Sequence, residues 1–270
     1  MSRRRLVALA FVLLVALLPA GCVGPLSSKS PATFRIMTWN IHHAEGTDRR
    51  LDVERVARLI LEQKPDIVCL QEVDRGVQRT QRRDLPAELA ALTGMSCVFS
   101  NNFSYQGGEY GNAVLTRFRI REHRNLHYTM LQKAEQRGLL SVIVEPKRGQ
   151  KLLVMNTHLG FRREDAERLL SIDQLEREWK KHPALPTLVC GDFNDVPGSR
   201  TYQGMTRWFE DTWIPAGAGD GFTIPVESPR KRIDYIFFTA GRGLKPMKAW
   251  VPQTLASDHL PVVAEFAWDK

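Results

Sequence analysis

Two short segments place acids, an amide and a histidine side by side: Gly-Asp-Phe-Asn at residues 191–194 and Ser-Asp-His at 257–259. Trp-Asn (39–40), Gln-Glu (71–72), Gly-Asn (111–112) and Thr-His-Leu (157–159) precede or interleave with them, and Arg-Ile-Asp-Tyr (232–235) lies between. Carboxylate and amide oxygens are hard donors that suit a divalent cation such as Mg²⁺. Carboxylates and imidazoles also move protons. Taken singly, each residue has an ordinary reading: Asn40 as a turn residue, Glu72 as a surface acid, His158 as a satisfied strand-end histidine. Their number and order point to a shared site. His42 and His43 follow Asn40 directly and invite a zinc reading. No second pair stands at a suitable spacing, so they are expected at a pocket rim or on the surface. Cys69, Cys97 and Cys190 lie in short apolar runs without a Cys-x-x-Cys spacing, and are expected to be buried thiols.

These residues need elements to position them. Short apolar, β-branched or aromatic runs predict strands at 34–39, 66–70, 113–116, 139–144, 152–157, 187–190, 233–239 and 261–266. Helical spacing of Val53, Val56, Leu59 and Ile60 predicts a helix over 51–63, stopped by Pro65. A second helix is expected over 164–181 before Pro183, and a third over 86–93, with proline at its start and Gly94 after its end. Four of the predicted strands run into polar residues: Asn40, Glu72, His158, and Asp192 with Asn194. A carboxylate at the end of a buried strand requires a charged partner. The pattern therefore suggests one sheet edge where the polar groups converge.

The first residues read as an export signal. Arg3, Arg4 and Arg5 precede an apolar run from Leu6 to Leu18, too short for a membrane span. Pro19-Ala20-Gly21-Cys22 follows and resembles the lipidation box of bacterial lipoproteins, from which Pro19 departs. The expected organisation is a leader over 1–22 with Cys22 lipidated, a tether over 23–31, and one domain over 32–270. The expected location is the bacterial cell envelope, or the periplasm or medium if Cys22 carries no lipid. The formal charge is +8, and losing the three leader arginines leaves +5. A mild positive balance suits an anionic substrate, and equally an ordinary solvated surface.

The seven motifs, in this order, resemble the endonuclease/exonuclease/phosphatase superfamily, metal-dependent phosphohydrolases that include DNase I-like nucleases. The resemblance covers about residues 34–266. It implies an α/β fold, a four-layer αββα sandwich: two mainly antiparallel sheets face to face, helices outside, the site at one end. It implies Mg²⁺ as cofactor, with Mn²⁺ able to substitute. A phosphoester is already anionic, so catalysis must neutralise charge, supply a nucleophile and help the leaving oxygen depart. On this basis Glu72, Asn40 and Asp258 are expected around the metal. Asp192 would orient and deprotonate water, and Asn194 would donate to the developing phosphorane charge. His259, its ring held by Asp234, would face the phosphate, and His158 would bond a phosphate oxygen. Asn112 and Arg137 are expected substrate contacts. Loops between the motifs are short, and no long basic insertion with interleaved aromatics is visible. That favours a small or lipid-derived phosphoester, with nucleic acid as the alternative, for a protein expected to work as a monomer. A binding module without catalysis is disfavoured, because Glu72, Asp192 and His259 are all present.

Overall fold

The computed structural model describes residues 33–268. The leader, Cys22 and the tether lie outside the described residues. In chain order the main elements are β1 (Thr33–Asn40), α1 (Val53–Gln63), β2 (Ile67–Arg75), α2 (Leu85–Thr93), β3 (Ser96–Tyr105), β4 (Gly108–Thr116), β5 (Arg119–His127), β6 (Gly138–Lys147) and β7 (Gln150–His158). Then come α3 (Ala166–Trp179), β8 (Thr187–Asp192), α4 (Arg200–Thr206), β9 (Glu210–Asp211), α5 (Trp213–Ala216), β10 (Asp234–Phe238), β11 (Leu244–Trp250) and β12 (Val262–Trp268). Among the described residues no helix is long and apolar enough to cross a membrane.

The strands form two six-stranded sheets, ordered β11-β12-β1-β2-β4-β3 and β5-β6-β7-β8-β10-β9. Each contains one parallel pair, β1 with β2 and β7 with β8, and is otherwise antiparallel. A parallel pair needs a crossover, and α1 and α3 supply it. Asp52 starts α1 two residues later than the apolar pattern suggests, because its carboxylate accepts the Arg55 N–H at 2.7 Å. Lys64, in a left-handed conformation, ends the helix ahead of Pro65.

Alternation along the strands sorts the core into three layers of contact. Ile36, Cys69, Val154, Leu188 and Ile236 point between the sheets. Met37, Trp39, Val68 and Leu70 point outward onto Val53, Val56 and Ile60 of α1 and Leu89 of α2. Leu153, Met155 and Val189 point outward onto Ile172 and Leu175 of α3 and Met205 of α4. Helices, two sheets and helices thus make the four-layer sandwich that the motif order implied. All eight predicted strands and three predicted helices are present, with ends shifted by a few residues; β3, β5, β9, β11, α4 and α5 were not foreseen. Cys69 and Cys190 are buried free thiols, while Cys97 is half-buried.

Candidate active site

The period of two that packs the sheets also aims the polar residues. The inter-sheet faces run Phe34, Ile36, Thr38, Asn40 on β1 and Leu152, Val154, Asn156, His158 on β7. They continue as Leu188, Cys190, Asp192 on β8 and Phe238, Ile236, Asp234 on β10. At the end where these four strands meet, apolar residues give way to polar ones. Glu72 enters differently: the β2–β4 register shifts between Leu70 and Val73, and Glu72 sits there at φ 57. Gly191 lets β8 approach β7, since a Cβ there would lie 1.9 Å from the Thr157 carbonyl oxygen.

A buried amide layer forms the floor. Gln71 Nε2 donates to Asn156 Oδ1 at 2.7 Å, and Asn156 Nδ2 donates to the Leu70 and Ala113 carbonyls at 2.9 and 2.8 Å, joining the two sheets. Asn112 belongs to this layer. Its Nδ2 donates to the Gly138 carbonyl at 3.3 Å, and it is not among the residues lining the cavity above.

Above the floor, His259 Nδ1 donates to Asp234 Oδ2 at 2.9 Å, and its Nε2 faces Asp192 Oδ2 at 3.7 Å. Burial, the largest influence on this ring, lowers its pKa, but Asp234 and Asp192 together overcome it and raise it to about 10. His259 is therefore an imidazolium at neutral pH. The segment carrying it is pinned to β1: Ser257 Oγ donates to the Asn40 carbonyl at 2.7 Å, and Trp39 Nε1 donates to the His259 carbonyl at 2.9 Å.

His158 is its neutral counterpart. Burial, then the charges of Arg137 and His259, push it well below its ordinary value. Arg137 Nη1 lies 2.9 Å from His158 Nδ1. A guanidinium only donates, so Nδ1 accepts and the ring proton sits on Nε2, 3.4 Å from Asp192 Oδ2. Arg137 is buried and also pairs with Glu135 at 2.6 Å, so it serves as ion-pair partner and as part of the cavity lining.

Burial, with Asp234 adding to it, raises the Asp192 carboxyl to about 7. Its Oδ1 accepts the Asn194 backbone N–H at 2.8 Å; Asn194 itself stands at φ 50, with Nδ2 donating to the Leu159 carbonyl at 3.0 Å. Asn40 Nδ2 donates to Glu72 Oε1 at 2.9 Å and to Asp192 Oδ2 at 3.2 Å. Its Oδ1 accepts the His42 N–H at 3.1 Å. In this orientation Asn40 holds two acids together, and offering oxygen to a cation requires its amide to rotate. Asp258 is exposed, with its Oδ1 3.3 Å from Ser257 Oγ, and is not among the residues lining the cavity.

The cavity over these groups holds about 310 Å³. Glu72, Arg137, His158, Asp192, Asn194 and His259 line it. Arg79, Glu135, Phe103, Tyr105, Tyr110 and Phe161 complete the wall, together with His42, and none of the first six was anticipated from sequence. His42 is at the rim as expected; His43 is buried rather than on the surface. Glu72 and Asp192 converge on one amide N–H₂ group, and a carboxylate oxygen of Asp192 lies within 4.8 Å of one of Asp234, both facing the protonated His259 ring. Buried acids this close hold a proton or a cation in place of full charge, so the donor set fits a divalent metal.

Residues 37–259 match the model of the Endonuclease/Exonuclease/phosphatase family. The chain belongs to this family. Members of the endonuclease/exonuclease/phosphatase superfamily are hydrolases acting on phosphoesters. The protein YbhP of Escherichia coli (strain K12) is 30% identical over 249 residues, covering 86% of this chain and 96% of YbhP. A 5′-tyrosyl-DNA phosphodiesterase of Caenorhabditis elegans is 25% identical over 192 residues, 68% of this chain and 48% of that protein. Among solved structures, the mannosyl-6-phosphatase Bt3783 of Bacteroides thetaiotaomicron VPI-5482 shares the fold with a TM-score of 0.74 at 18% identity, over 87% of this chain and 100% of that one.

Proposed function

We propose that this endonuclease/exonuclease/phosphatase protein is an exported, Mg²⁺-dependent hydrolase of a small or lipid-derived phosphoester. The observation that carries the reading is the protonation pattern in one cavity. Asp192 sits near neutrality at about 7, His259 is held as imidazolium by Asp234, and neutral His158 presents its Nε2–H. That is a base, a cation and a neutral donor around one small volume.

Asp192 takes a proton from water as its oxygen bonds to phosphorus. His259 and the His158 Nε2–H meet the charge that builds on the phosphoryl oxygens, and Asn194 is placed two residues from the base in the same loop. The bond from phosphorus to the leaving oxygen then breaks. Glu72, with Asn40 once its amide rotates, would hold a Mg²⁺ ion, which when bound would supply further charge neutralisation at the phosphoryl oxygens. Asp234 positions His259 and keeps it charged. A cavity of about 310 Å³ walled by Phe103, Tyr105 and Phe161 suits a small ester with an apolar or planar leaving group. Residues 1–22 support export, with Cys22 as the lipid attachment point.

The test is a panel of p-nitrophenyl phosphate, bis-p-nitrophenyl phosphate, a lysophospholipid and supercoiled plasmid, each with Mg²⁺ and with EDTA. EDTA-sensitive release from a small ester without plasmid nicking is expected. Nicking at a comparable rate replaces the small-ester reading with a nuclease. For placement, Cys22→Ser is expected to move the protein from the membrane to the soluble fraction, and an unmoved protein overturns lipid anchoring.

A further inference from the structure

We propose that His42 and His43 join Glu72 in a mixed imidazole–carboxylate cation site at the cavity mouth, which selects a first-row transition cation of the Mn²⁺ type over Mg²⁺. The proposal rests on the reading that Glu72 holds the cation, and concerns which cation that is.

Three observations carry it. One donor atom from each of His42, His43 and Glu72 lies within 4.8 Å of the others, a few tenths of an ångström beyond the span of two opposed bonds of ~2.1 Å. All three residues stand in the left-handed region, at φ 44, 45 and 57. Such backbone is costly for non-glycine residues and persists where the fold enforces it. Consecutive His42 and His43 thereby bring their rings to 4.4 Å between centroids. Third, the ring nitrogens are prepared as ligands. His42 Nδ1 lies 3.1 Å from the Glu45 carbonyl oxygen, which only accepts, so Nδ1 carries the proton and Nε2 keeps its lone pair. This is the backbone-carbonyl arrangement that orients metal-binding imidazoles. His43 is more than nine-tenths buried, and its Nδ1 has no hydrogen-bond partner. Arg79, a cation of the same cavity wall, is engaged by both Asp74 oxygens at 2.8 and 2.9 Å.

The hydrolytic steps above use neither imidazole. Mg²⁺ prefers oxygen donors and keeps its waters, whereas the divalent first-row transition cations, Mn²⁺ least strongly among them, accept imidazole nitrogen. Adding two such nitrogens to Glu72 therefore shifts preference away from Mg²⁺.

The experiment is an EPR titration of the full chain with Mn²⁺, followed by competition with Mg²⁺, in wild type, His42→Ala, His43→Gln and Glu72→Gln. Wild type is expected to bind Mn²⁺ at least about tenfold more tightly than Mg²⁺, with ¹⁴N couplings from bound imidazole. His42→Ala and His43→Gln are each expected to weaken Mn²⁺ about tenfold or more and to reduce those couplings, with Mg²⁺ affinity changed less than about twofold. Retained Mg²⁺ binding also reports that a variant is folded; if His43→Gln is not, His42→Ala decides. Unchanged Mn²⁺ affinity and ¹⁴N couplings in the histidine variants, with both cations lost in Glu72→Gln, overturn the proposal and leave Glu72 as ligand. Undiminished binding of both cations in Glu72→Gln overturns the underlying metal reading instead.

Discussion

Asp234→Asn isolates the charge that keeps His259 protonated. Asp234 is 1% exposed, and its Oδ2 accepts the His259 Nδ1 proton at 2.9 Å. An asparagine Oδ1 accepts the same proton with the same shape, so ring position is preserved and only charge is lost. Burial, the largest influence on His259 and a lowering one, is then opposed mainly by Asp192. The ring is expected to fall from about 10 to its ordinary 6.5 or below. At ~1.4 kcal/mol per tenfold, that removes on the order of 5 kcal/mol from the preference for imidazolium. At about pH 8 the ring becomes neutral, and turnover is expected to drop about 10²–10³-fold. The alkaline limb of the kcat/KM profile is expected to move from about 10 to 6.5 or below. Stability follows the same linkage. A pKa raised in the folded state contributes stability that is fully present below 6.5 and lost as pH rises through about 10. The wild-type melting temperature should therefore decline across that window, and the variant should lose that decline. An alkaline limb that stays near 10 in Asp234→Asn, or turnover within a few-fold of wild type, would refute the reasoning.

Two further outcomes test the floor and the wall. Asn156→Ala removes the amide that bonds Gln71, the Leu70 carbonyl and the Ala113 carbonyl, and should cost about 3 kcal/mol, a drop of roughly 10 °C in thermal melting; a loss under about 1 kcal/mol would contradict its role in joining the sheets. Phe161 is 70% exposed at the cavity wall, so Phe161→Ala should leave the melting temperature unchanged and raise KM for an aryl phosphoester about tenfold at constant kcat. An unchanged KM would remove Phe161 from substrate contact.

What the sequence withheld has a common physical cause in the strands. β3, β5, β9 and β11 are the four sheet edges. An edge has one partner and faces water, so it is polar: β5 reads Arg-Ile-Arg-Glu-His-Arg-Asn-Leu-His and lacks the apolar run that marked β7 or β8. Missing β3 also meant missing Phe103 and Tyr105, which it carries into the cavity wall. The central strands were legible because both faces are buried, and their alternation then delivered Asn40, His158, Asp192 and Asp234 to one place. Orientation at strand ends was not legible. Adjacent residues differ there, so His259 is buried at the site while Asp258 is exposed, and Asn112 donates its amide to the Gly138 carbonyl beneath the site. The left-handed backbone at His42, His43 and Glu72 has no glycine to announce it.

The central claim is that Asp192 and His259 perform phosphoester hydrolysis in this cavity. Release of p-nitrophenol from bis-p-nitrophenyl phosphate by wild type, Asp192→Ala and His259→Ala, with circular dichroism and thermal melting on the same samples, tests it most directly. Both variants are expected to remain folded and to lose at least about 10³-fold in turnover. Wild-type turnover in both folded variants would contradict the account.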